Sequence, residues 1–136
     1  MTEAVQELDY FYLEVPNKIG EGAKVLRALK EAGVNLRAFS GFPAGRRAQL
    51  DFFPADSAAF KKVARAHGWK VVGPRRAFLI QGDDRVGAVA DMVGQLADAK
   101  IDVIAVDAVC VDGRYGALCW VGPRDRKKAA QLLGAV

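Results

Sequence analysis

The sequence predicts an α+β fold: two tandem ferredoxin-like βαββαβ modules forming an extended antiparallel sheet with helices on one face. Three observations predict it. The chain repeats itself, since Phe11 to Gly20 (FYLEVPNKIG) recurs as Phe78 to Gly87 (FLIQGDDRVG), and 78 − 11 and 87 − 20 both give 67. Carried forward without a gap, that offset pairs Ala23 with Ala90, Leu29 with Leu96, Val34 with Ile101 and Asn35 with Asp102. Within each copy the hydrophobic period alternates between that of a strand and that of a helix, in the same order. A unit of this length exceeds a solenoid repeat and suits a small domain. The expected modules are 8–74 and 75–136, the second with a fourth strand that is short or missing because the chain stops at Val136.

Tyr10 to Val15 alternates, with Phe11, Leu13 and Val15 on one face, and reads as a strand. Pro16-Asn17-Lys18 ends it and Gly20-Glu21-Gly22 opens a helix whose apolar stripe is Ile19, Ala23, Leu26 and Leu29. Gly33 is a stop signal. Val34 to Phe42 and Arg47 to Phe53 read as a strand pair around a turn at Pro43 to Arg46. Asp56 or Ser57 caps a second helix that turns Phe60, Val63 and Ala64 inward and stops at Gly68. Trp69 to Val72 is a short fourth strand. The second copy follows: a strand at Ala77 to Gln81, a loop at Asp83-Asp84-Arg85, and a helix lined by Val86, Ala90, Val93 and Ala97. Asp102 to Val111 and Arg114 to Val121 form a hairpin around Asp112-Gly113, and Pro123 starts a last helix.

A two-residue turn at Asp112-Gly113 places Cys110 opposite Tyr115 and Val106 opposite Cys119. One face then holds Ile104, Val106, Ala108, Cys110, Tyr115, Ala117, Cys119 and Val121, expected as helix-facing core. The other holds Val103, Ala105, Asp107, Val109, Leu118 and Trp120. That second face is largely apolar where water would favour polar residues, so a partner chain is expected there, giving a homodimer through the face with Leu118 and Trp120.

Composition bounds the function. With 51% hydrophobic and 26% charged residues the chain is of the soluble globular type, and no apolar run approaches the ~20 residues of a membrane span. Its start, Met1 to Glu7, is polar and acidic, unlike a signal peptide, which makes the cytoplasm the expected location. The net charge of +4 is dispersed among interleaved acids, which argues against nucleic acid as a partner. The RNA-binding modules of the same architecture carry a Lys/Arg-Gly-aromatic motif that this chain lacks. His67, the only histidine, falls at a helix end, where it complements the dipole. Cys110 and Cys119 are expected as buried core thiols, since Cys110 and the residue opposite Cys119 are about 13 Å apart along a strand, beyond the roughly 7 Å a disulfide spans. No metal-ligand spacing and no phosphate-binding glycine pattern occurs, so no metal and no cofactor is expected. Asp83-Asp84 reads as a solvated turn, so no enzymatic activity is expected.

What remains is binding at the strand-loop-helix junctions. Each repeat presents a loop, Pro16 to Gly20 and Asp83 to Gly87, that ends at a helix start, where free N–H groups and the helix dipole favour a carboxylate. Asn17 and Asp84 accept from an ammonium or hold the loop, and Gly20 and Gly87 let a ligand approach the backbone. A carboxylate with an ammonium describes an amino acid. The competing reading is that these glycines serve the turn alone.

The stretches Leu13 to Gly20 (LEVPNKIG) and Ile80 to Gly87 (IQGDDRVG) resemble the ACT-domain signature valine-proline-aspartate-arginine-proline-glycine. Each is followed by a segment similar to the family's next motif, Leu29 to Leu36 (LKEAGVNL) and Leu96 to Val103 (LADAKIDV). As a doubled pattern the chain resembles small stand-alone tandem ACT proteins. The resemblance implies a non-catalytic regulatory protein that binds a free amino acid where a strand-to-helix loop meets the second strand of a neighbouring sheet. Asn17, Ile19, Gly20, Asp84, Val86 and Gly87 would line the loops, and Asn35, Leu36, Asp102 and Val103 would begin the facing strands. Repeat one keeps Pro16 and Gly33 of the pattern, which places the site there first. The alternative is a ligand-free interaction subunit of a metabolic enzyme or regulator made by another chain.

Overall fold

The computed structural model describes residues 3–136. The internal repeat is reproduced by the backbone to the residue. The first copy has helix α1 at Glu21–Glu31 and strands β2 at Leu36–Ala44 and β3 at Arg47–Pro54. Displaced by 67 (88 − 21, 103 − 36, 114 − 47), the second has α3 at Ala88–Asp98, β5 at Val103–Val111 and β6 at Arg114–Val121. Even the irregularity between Leu36 and Ala38 recurs between Val103 and Ala105. The remaining elements are β1 at Ala4–Pro16, α2 at Ser57–His67, β4 at Val72–Asp83, a 3-10 turn at Pro123–Asp125 and α4 at Arg126–Leu133.

The chain divides into two compact units: Asp9–Arg75, the first module, and residues 3–8 with Arg76–Val136, the second. Strands β1 and β4 each contribute to both. In the first module residues 9–16 of β1 lie between β3 and residues 72–75 of β4, giving the order β2-β3-β1-β4. In the second, residues 76–83 of β4 lie between β6 and residues 4–8 of β1, giving β1-β4-β6-β5. Each module is thus a complete four-stranded ferredoxin-like unit, and the fold class is α+β as read from the sequence.

The fourth strand of the second module comes from the start of the chain. Sequence patterning began the first strand at Tyr10, yet β1 runs from Ala4, because Val5 is buried in the second module's core. Glu7 reinforces the docking through Arg126 at 2.5 Å and Arg76 at 3.4 Å. Beside it, Val136 donates to the Val5 carbonyl (3.1 Å) and accepts from the Glu7 N–H (3.0 Å). Likewise Trp69 to Val72 and Ala77 to Gln81 are not two strands: β4 runs unbroken through the module boundary from Val72.

Each module buries its own core under its helices. The first gathers Phe11, Leu13, Val25, Leu29, Phe52 and Phe60, with ring centroids 4.9 Å apart for Phe11–Phe60 and 5.3 Å for Phe52–Phe60. The second gathers Val5, Phe78, Ile80, Met92, Leu96 and Cys119. Helix α2 is capped as expected, with the Asp56 carboxylate accepting from the Ala59 N–H at 3.2 Å, and Gly68 ends it in the left-handed region.

The hairpin has the expected pairing of Cys110 with Tyr115 and Val106 with Cys119. Its helix-facing residues on β6, Tyr115, Ala117, Cys119 and Val121, are buried. Those on β5 are not. Ile104 is 61% exposed, Val106, Ala108 and Cys110 are also exposed, and Val103 packs on the core instead. Strand β5 is the edge of this sheet, where helix α3 leaves it open, and the irregularity at 103–105 turns Val103 inward. Cys110 is therefore an exposed thiol, not a core one, whereas burial pushes the Cys119 thiol up to about 11; both are free. Trp120, expected to await a partner chain, is already 7% exposed within one chain, and Leu118 is half-buried. No helix among the described residues is long and apolar enough to cross a membrane.

Candidate functional site

The two junctions are built alike. In the first, the chain leaves β1 at Pro16, the Asn17 N–H donates to the Arg46 carbonyl (3.4 Å), and Gly20 takes φ +89° to start α1. In the second, the Asp84 N–H donates to the Gly113 carbonyl (2.9 Å), and Gly87 takes φ +83° to start α3. Both loops therefore hang from the hairpin turn of their own module. The glycines are explained by this backbone, which an L side chain resists by about 1–2 kcal/mol, since a Cβ at either would meet nothing within 4 Å. The first backbone hydrogen bonds closed along the helices are Lys24 N–H to Gly20 and Asp91 N–H to Gly87. Helix geometry thus leaves the N–H groups of Gly22 and Ala23, and of Val89 and Ala90, without an intrahelical acceptor.

The expected site residues separate into four groups. Asp84 and Gly87 come together in an open pocket of about 290 Å³, which Val89 and Ala90 also line. Asn17 and Gly20 occupy the equivalent loop of the first module. Asn35, Leu36, Asp102 and Val103 lie at the far ends of α1 and α3, about 16 Å away along an 11-residue helix. Asn35 and Leu36 instead line a separate hollow of about 430 Å³ with Leu26 and Lys30. Ile19 and Val86 point wholly into solvent, 106% and 102% exposed.

The wall facing the second junction is formed by residues read from the sequence as core: Ala108 and Cys110 of β5 and Tyr115 of β6. They face the helix layer as predicted, but at the sheet edge that side is open, and small side chains leave a hollow. Edge position is the signal that marks them, and it is visible only once the strand order is known. Cys110 shares a hydrogen bond with the Asp84 carboxylate, which with partial desolvation holds its thiol above the ordinary range. Burial, with the hydrogen bond to Glu3, pushes the Tyr115 hydroxyl up to about 12. Arg85 is engaged by Asp91 at 2.7 Å and Arg114 by Asp83 at 2.7 Å, which leaves Asp84 as the carboxylate of the pocket. Among the described residues no group of three His, Cys, Asp or Glu side chains is placed to hold a metal ion.

No protein-family model and no curated protein sequence matches the chain. Solved structures do. A protein from Bacteroides thetaiotaomicron aligns with a TM-score of 0.81 at 17% identity, over 97% of this chain and 88% of that one. The regulatory subunit of aspartate kinase from Thermus thermophilus, in its ligand-free form, aligns at 0.64 with 18% identity, over 98% and 95%. The fold is the tandem ACT fold. An aspartokinase structure with alpha and beta subunits shares this ACT architecture at a TM-score of 0.68 and 14% identity, over 98% and 95%. Two of these three structures are of aspartokinase or of its regulatory subunit.

Proposed function

We propose that this protein is a non-catalytic regulator that binds a free amino acid at the strand-loop-helix junction of its second module. The observation that carries the reading is the composition of the 290 Å³ pocket. The N–H groups of Val89 and Ala90 supply donors for a carboxylate, Asp84 supplies an acceptor for an ammonium, and Ala108 with Cys110 supplies a small apolar wall for the side chain. The sequence favoured the first module; the charge on Asp84, where the first module has neutral Asn17, moves the site to the second. Calorimetric titration of the full chain with each of the twenty amino acids tests this. One or a few bind, and Asp84→Asn weakens them at least about tenfold, the order of one lost charge-assisted hydrogen bond. No binding, or equal binding by the variant, rejects it.

A second reading rests on exposed apolar residues. Ile104, Val109 and Val111 on the β5 edge are 61%, 65% and 62% exposed, and Ile19 and Val86 stand fully in solvent. Such residues suit a surface covered by another chain. In this reading the protein is a homodimer, or the ligand-free subunit of a metabolic enzyme of the kind the aspartate kinase neighbours represent, and it works in the cytoplasm. Its dimer contact lies along β5 in place of Trp120, which is already buried.

A further inference from the structure

One volume is treated differently by the two modules. In the second, Gly82 lies opposite Tyr115 across β4 and β6. The Tyr115 ring covers it so closely that a Cβ on Gly82 would stand 2.8 Å from the ring's Cε1 and 3.0 Å from Cγ of Glu3. That ring is buried, and its hydroxyl donates to the Glu3 carboxylate just ahead of the module's fourth strand, residues 4–8. In the first module the same pair, shifted by 67 (82 − 15, 115 − 48), is Val15 opposite Ala48. Ala48 carries no ring. Trp69 lies three residues ahead of that module's fourth strand at 72–75.

Val15, the counterpart of Gly82, lines a cavity of about 380 Å³. Leu13, Val15 and Val25 form its buried apolar floor, Ala28 of α1 forms a wall, and His67 and Trp69 stand at its mouth. His67 stacks on Trp69 with ring centroids 5.1 Å apart and planes 21° from parallel, which holds the indole in place. The Glu21–Lys24 ion pair (3.0 Å) lies on the rim.

We infer that this cavity binds a free single-ring aromatic molecule of phenol size, at a site separate from the junction pocket. Its volume falls within the roughly 300–1,000 Å³ of small-molecule pockets. The second module shows which group this backbone geometry packs at this point: a phenol ring lying on the strand, its hydroxyl held by a carboxylate at the start of the fourth strand. In the first module, Glu21, Lys24 and His67 are the polar groups within reach of such a substituent, and Trp69 offers an aromatic contact.

The probe is p-cresol, the tyrosine side chain as a free molecule, titrated into the isotopically labelled full chain and followed by NMR. The inference expects saturable shifts at the methyls of Val15, Val25 and Ala28 and at the Trp69 indole, with residues 84–90 unmoved. Transplanting the other module's pair, Val15→Gly with Ala48→Tyr, fills the cavity and abolishes the response while raising Tm. Should that variant not fold, Ala28→Leu narrows the same wall and weakens p-cresol at least about tenfold, as overpacking of a fitted site does. Absence of saturation, shifts confined to residues 84–90, or an undiminished response in a folded, filled variant overturns it.

Discussion

The two modules share every boundary of α1, β2 and β3 at a constant spacing, yet solve the problem of a core in opposite ways. The first builds it from aromatics, with Phe11, Phe52 and Phe60 packed in one cluster. The second fills the same scaffold with smaller groups, so that Cys119 stands at the position of Phe52, both 0% exposed. Volume lost there is recovered elsewhere: Tyr115 replaces Ala48 and lies over Gly82, which replaces Val15. The lesson is that repetition fixes backbone geometry more tightly than it fixes which side chain fills a given space. The cavities differ between the copies.

The comparison is broken most severely by removing its centre. Phe52→Ala lowers unfolding stability by about 3–5 kcal/mol, while Cys119→Ala at the matching position costs only about 1 kcal/mol, both read from urea denaturation. Similar losses would show that the modules have equivalent cores. At the loops the modules are alike, so Gly20→Ala and Gly87→Ala should each cost about 1–2 kcal/mol through backbone strain alone, measured by the same method. A markedly larger loss at one of them would reveal a packing role that the open space around both glycines denies.

Tyr115 gives the second module a titrating group at the position that Ala48 occupies in the first. Its hydroxyl ionises near 10 in the unfolded chain and at about 12 in the fold, held neutral by burial and by Glu3. Folding therefore favours the protonated form, so the contribution is whole below pH 10 and is lost as pH rises toward 12. Thermal melts across that window should fall more steeply for the native chain than for Tyr115→Phe, and parallel curves would refute the assignment. The smallest effect on stability belongs to the exposed edge. Val109→Lys changes unfolding stability by no more than about 0.5 kcal/mol yet shifts any dimer toward monomer in light scattering. A dimer indifferent to that charge places the contact elsewhere.

Most of this architecture was legible because the repeat is encoded in short-range signals: Gly20 and Gly87 at helix starts, Gly33 and Gly68 at helix ends, and Asp112-Gly113 at the hairpin. What escaped reading depends on long-range placement. Residues 4–8 fall in a start that reads as polar and acidic over Met1 to Glu7, and only the burial of Val5 in the core built from Arg76–Val136 reveals them as a fourth strand. Ala108 and Cys110 have the periodicity of core residues, and only their place on an edge strand exposes them. The resemblance put Asp84 and Gly87 on a loop and Asp102 and Val103 on the facing strand of a neighbouring sheet; within the second module the two pairs lie at opposite ends of α3. The substitution of Tyr115 for Ala48 is plain in the sequence, but that its ring lies over Gly82 required the fold.

The central claim is that the second junction, and not the first, receives an amino acid. Backbone NMR of the labelled full chain, titrated with the twenty amino acids, reads both junctions in one experiment. The account predicts saturable shifts at the N–H groups of Val89 and Ala90 and at Ala108 and Cys110, with Asn17 to Ala23 unmoved. Shifts confined to Asn17 to Ala23, or none with any amino acid, would contradict it.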